Sequence, residues 1–77
     1  MEILDISNNT IRNLEPLSNM SALSELYLQH NAVANLTVVG GLPELTVLDV
    51  SYNALTSIAP LTGNVRLTKL NAANNQI

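Results

Sequence analysis

The sequence predicts an α/β solenoid: a right-handed superhelix with short parallel strands on a concave face and 3₁₀ or irregular turns on the convex face. Three observations carry this. First, an eleven-residue frame, L-x-x-L-x-L-x-x-N-x-L, recurs every 22 residues without insertion. It reads Leu45, Leu48, Val50, Asn53, Leu55 in its clearest copy, and Leu23, Leu26, Leu28, Asn31, Val33 before it. Outer copies are Met1, Leu4, Ile6, Asn9, Ile11 and Leu67, Leu70, Ala72, Asn75, Ile77. Second, apolar residues alternate inside each frame, the pattern of a strand with one buried face. Third, the other half of each unit spaces its apolar residues by three and carries prolines.

The expected strands are Ile3 to Ser7, Glu25 to Gln29, Val47 to Ser51 and Lys69 to Ala73. Leu4 and Ile6, Leu26 and Leu28, Leu48 and Val50, and Leu70 and Ala72 then point into the core. The chain turns at Asn9, Asn31, Asn53 and Asn75, whose amides can satisfy backbone groups of the turn and of the adjoining unit. The return half carries Leu14, Leu36, Ile58 and then Leu17, Val39, Leu61, a spacing that suits 3₁₀ turns, where residues three apart eclipse. Pro16 and Pro60 oppose a long helix there. Val38 replaces them in the middle unit, with Gly40-Gly41-Leu42-Pro43 following, so an irregular connection is expected. Asn64 sits in a column otherwise held by Met20 and Leu42, which predicts weaker closure of the third convex side.

The 77 residues form one domain of three units, 1–22, 23–44 and 45–66, and a half unit, 67–77. With no Trp or Phe, the core must come from Leu, Ile, Val, Ala and Met. Net charge is -3, and Arg12, Arg66 and Lys69 are the only basic residues. That argues against nucleic acid or an anionic membrane as partner, since both require a basic footprint. No cysteine is present, so disulfides and thiolate metal sites are excluded.

Stretches such as Ile11-Arg-Asn-Leu-Glu-Pro-Leu-Ser-Asn-Met and Leu23-Ser-Glu-Leu-Tyr-Leu-Gln-His-Asn make the chain resemble leucine-rich repeats of the 22-residue, SDS22-like class. The internalins of bacterial surfaces share that unit length. The resemblance spans the whole chain and implies a protein-interaction scaffold without catalysis or cofactor. It implies a cytoplasmic adaptor or regulator, with a segment of an internalin-like surface adhesin or a purely structural spacer as alternatives. Ala72, Asn64 and the absence of a recognisable cap depart from the pattern.

In such repeats, strand positions facing away from the core form the concave binding surface. Its columns are Ile3, Glu25, Val47, Lys69; Asp5, Tyr27, Asp49, Asn71; Ser7, Gln29, Ser51, Ala73; and Asn8, His30, Tyr52, Asn74. Both tyrosines and the single histidine fall here, and amphipathic aromatics anchor interfaces. Asp5, Glu25 and Asp49 make its N-terminal side acidic. The protein-binding residues expected from this are Asp5, Glu25, Tyr27, Gln29, His30, Val47, Asp49, Ser51, Tyr52, Lys69 and Asn71. The bland alternative is that exposed strand positions must hold something and tyrosine suits strands.

Catalysis finds little support in the pattern. Asp5 and Asp49 lie two strands apart, roughly 9–10 Å, too far to share a proton. His30 has no cysteine to activate, and His30, Asp49 and Tyr52 make a poor metal set. Gly40-Gly41 lacks a phosphate-loop lysine and reads as a turn. The sequons at Asn8, Asn19 and Asn35 fit chance in a chain so rich in Asn, Ser and Thr. Finally, Leu4 and Ile6 at one end and Leu70, Ala72 and Ile77 at the other are expected to lie open. That predicts either an excerpt of a longer array or self-association through the terminal strands.

Overall fold

The computed structural model describes residues 2–77; Met1, the first position of the first frame, lies outside them. Four strands form one parallel sheet in the order β1-β2-β3-β4: β1 Glu2–Asp5, β2 Leu23–Tyr27, β3 Val47–Asp49 and β4 Lys69–Asn71. Register follows the 22-residue period, with Leu4, Leu26, Leu48 and Leu70 side by side. From Ile3 onward the strand positions therefore stack on their counterparts, whereas Glu2 pairs with Leu23 across a register shift.

The strands stop earlier than the alternation predicts. Oδ1 of Asp5, Asp49 and Asn71 each accepts the backbone N–H two residues on, at 3.0, 3.0 and 3.1 Å. A side chain that captures a nearby N–H removes it from the ladder. Bonds between units still continue past these points, from Asn8 N to Gln29 O, His30 N to Ser51 O and Tyr52 N to Ala73 O.

The convex side carries 3₁₀ turns at Glu15–Leu17 and Ala59–Gly63, as the prolines imply. Between them the chain forms one turn of α-helix, α1 (Thr37–Gly40), where an irregular connection was expected. Val38 replaces the proline that disfavours helical geometry in the residue before it. Gly40 N–H then reaches Leu36 O, four residues back, at 2.9 Å.

The core is continuous. Leu23, Leu26, Leu28, Val33, Leu36 and Val39 of the second unit and Leu45, Leu48, Val50 and Leu55 of the third are almost fully buried. Each such leucine contributes about 1.5–3 kcal/mol by leaving water. Burial thins toward the ends, because a unit is sealed only by neighbours on both sides. Leu4, Ile6 and Ala72 are half-buried, whereas Leu70 and Ile77 are 39% and 64% exposed.

The third convex side is the less closed one, as expected: Ile58 is 38% exposed where Leu14 and Leu36 are buried, and Asn64 Oδ1 is buried without a partner. Asn64 nonetheless makes a tie that the sequence reading did not include. It is buried, and its Nδ2 donates to Val39 O and Leu42 O, each at 3.1 Å. An amide in the apolar column thus ties the third unit to the second.

Candidate functional site: the concave face

Two ladders hold the concave face in register. In the first, Asn53 Nδ2 donates to Leu28 O, Val50 O and Ser51 O, each at 3.0 Å, while its Oδ1 accepts Val33 N–H at 3.0 Å. Asn31 and Asn75 accept the N–H of Ile11 and Leu55 in the same way. Asn9 donates to Ile6 O and Ser7 O of its own turn. The second ladder was missed from sequence. Ser24 Oγ donates to Glu2 O at 3.3 Å, Thr46 Oγ1 to Ser24 O at 3.0 Å, and Thr68 Oγ1 to Thr46 O at 3.1 Å. Its signal was present, since hydroxyl residues recur at 24, 46 and 68, one period apart.

On this frame Tyr27 lies directly between Asp5 and Asp49 on the neighbouring strands. Each aspartate is fixed by one oxygen: Asp5 Oδ1 also accepts the Ser7 hydroxyl at 2.6 Å, and Asp49 Oδ1 that of Ser51 at 2.7 Å. Glu25 Oε1 accepts the Tyr27 phenol at 2.6 Å. The Ser7 hydroxyl and then its N–H hold the exposed Asp5 carboxyl below its ordinary value. Tyr27 is raised, first because its hydroxyl proton is held by Glu25, then by desolvation and the charges of Glu25, Asp5 and Asp49.

Both shifts predict a titration. Ser7→Ala is expected to raise the Asp5 carboxyl, and Glu25→Gln to lower the Tyr27 phenol, each toward its ordinary value. Side-chain NMR for Asp5 and ultraviolet absorbance for the phenol report this directly. Unchanged titrations would show that these bonds do not persist in solution. The sign for Asp5 is set by its lowered value. The turn with Ser7 contributes to stability above the ordinary carboxylate range and loses that contribution as pH falls through the lowered value.

Beyond the strand ends, Asn8, His30, Tyr52 and Asn74 all take left-handed backbone, with φ of 59, 60, 55 and 58°. Asparagine tolerates this and histidine is found there, but for tyrosine it is uncommon and costs about 1–2 kcal/mol. The shared geometry stacks His30 on Tyr52, ring centroids 4.3 Å apart and planes 11° from parallel. Tyr52 remains 51% exposed.

The expected binding residues therefore separate by accessibility. Asp5, His30, Tyr52, Lys69 and Asn71 are exposed, and Glu25, Tyr27, Gln29, Val47 and Asp49 are half-buried. Ser51 is only 4% exposed, a correction to its place on the face. Its hydroxyl is occupied with Asp49, so it positions the carboxylate and offers nothing itself. Gln29 Oε1 is buried without a partner. Among the described residues no group of three His, Asp or Glu side chains is placed to hold a metal ion.

A stacked array of strand-and-turn units, joined by an asparagine ladder and open along its sheet face, defines a leucine-rich-repeat solenoid. The chain belongs to the leucine-rich repeat family: the family model described as Leucine Rich repeats (2 copies) matches residues 1–41 and 43–77. Among solved structures it is similar to internalin C2 (inlC2) of Listeria monocytogenes, with 32% identity and a TM-score of 0.93 over 97% of this chain. An internalin (inlF) from the same organism shares 30% identity with a TM-score of 0.89 over 92% of the chain. The chain spans 33% and 21% of those two structures. No curated protein matches it.

Proposed function

We propose that the chain is a protein-interaction scaffold that binds a protein partner through its concave sheet face and performs no catalysis. The observation that carries this reading is one partly exposed surface gathering Tyr27, Tyr52 and His30, presented by a single hydrogen-bonded parallel sheet. Interface anchors are typically aromatic and held in place before binding. Asp5 and Asp49 stand on either side of Tyr27, and Glu25 is engaged with the Tyr27 phenol, an arrangement that suits no acid–base pair.

Immobilised chain should capture a partner from its native source, and Tyr27→Ala with Asp49→Arg should abolish capture with an unchanged circular dichroism spectrum. A double variant that folds and retains every partner would place binding elsewhere. Absent cysteines suit a cytoplasmic setting for this scaffold. A segment of a bacterial surface adhesin is the second reading, favoured by the likeness to two internalins. A signal peptide or wall anchor in the flanking gene sequence would select it.

A further inference from the structure

We infer that the occupant of the concave face is a basic, extended segment of the protein partner, an inference that rests on the binding surface proposed above. Charge on an open sheet face points to this occupant. Asp5, Glu25 and Asp49 surround Tyr27, and each carboxylate is tied by a single oxygen, the other having no donor among the described residues. Among the described residues the only ion pair is Arg66 with Glu44, at 2.9 Å. The face's own cation, Lys69, lies on β4, the strand beside that of Asp49, opposite Val47 and in no ion pair. Three anchored negative groups thus have no positive partner among the described residues.

The aromatic pair supplies the second half of the surface. His30 and Tyr52 present a stacked, exposed pair of rings just beyond the strand ends, three residues after Tyr27 and Asp49 respectively. A guanidinium lies favourably over a tyrosine face, and its planar fork matches a carboxylate edge. An extended segment carrying more than one basic side chain spans both features. An acidic segment would meet repulsion from three carboxylates and find only Lys69.

The test uses the 77-residue chain and acetyl-Arg-Gly-Arg-Gly-Arg-amide, with the citrulline peptide as its neutral match. NMR should show saturable shifts at Tyr27, His30 and Tyr52 with the arginine peptide. Binding should weaken at least about tenfold with citrulline, and steeply as salt rises to about 0.5 M, since exposed charges are screened. The double variant Asp5→Asn, Asp49→Asn should show the same loss while remaining folded, because Asn71 already makes this turn in the fourth strand. An equal response to both peptides, or one centred on the Arg66–Glu44 side, overturns the basic segment. So does peptide silence while a captured partner is still lost with Tyr27→Ala, Asp49→Arg, and the binding surface then stands. A partner whose capture survives that variant overturns the surface itself.

Discussion

Asn53→Leu is expected to lower the stability of the domain by about 3 kcal/mol, far more than its size on the surface suggests. The three carbonyls that receive its Nδ2 each keep another donor: Asn31 for Leu28 O, Asn75 for Val50 O, and His30 N–H for Ser51 O. Val33 N–H has no such reserve, because Asn53 Oδ1 is its acceptor and Val33 is fully buried. An orphaned buried N–H costs roughly 1–3 kcal/mol, and three weakened carbonyl contacts add to it. For a domain of this size each kcal/mol shifts Tm by roughly 4–8 °C, so melting should fall by more than about 10 °C. Thr56→Ala, at an exposed loop position, should stay within about 0.5 kcal/mol. Equal melting shifts for the two would remove the ladder from the account of stability.

Gly40→Ala is expected to be comparably damaging, for a steric reason. A Cβ there would lie 2.2 Å from Pro60 O and 3.1 Å from the Pro60 carbonyl carbon. The obstacle is backbone of the next unit, which cannot retreat as a side chain would, so α1 and the third convex turn must separate. Overpacking of this kind costs typically 1–3 kcal/mol, and the absence of a yielding atom places it at the upper end. The adjacent Gly41 provides the contrast. Its Cβ would meet only Val38 O at 3.4 Å, with φ at -91°. Gly41→Ala should therefore be neutral or gain about 0.4–1 kcal/mol by restricting the unfolded chain. Urea midpoints at constant m-value separate the two outcomes. Matching midpoints would show that the convex side yields freely.

Much of this solenoid was legible in the sequence, and the reason is its period. With 22 residues between equivalent positions and no insertion, the register of β1 to β4 and the ladder asparagines follow from counting. The convex prolines were equally readable. Val38 and Gly40 were harder, because an α turn and an irregular bend use the same residues and differ by one bond, from Gly40 N–H to Leu36 O. Asn64 was half legible: a polar residue in an apolar column reads as a defect, and the third convex side is indeed the more open one. Only the positions of Val39 O and Leu42 O make it a tie.

The candidate site divides the same way. Sequence placed His30 and Tyr52 in one column, and Ser51 on the same face as Asp49. It could not show that the rings stack or that Ser51 is hidden. By itself, then, the sequence determined which residues stand beside which, because a strict repeat converts spacing along the chain into adjacency in space. Tertiary structure decided which neighbours touch and which remain open to a partner. A left-handed backbone at residues 30 and 52 carries the two stacked rings, and an aspartate turn ties the Ser51 hydroxyl to Asp49. Those contacts depend on φ and on hydrogen-bond partners across units, which residue spacing alone does not encode.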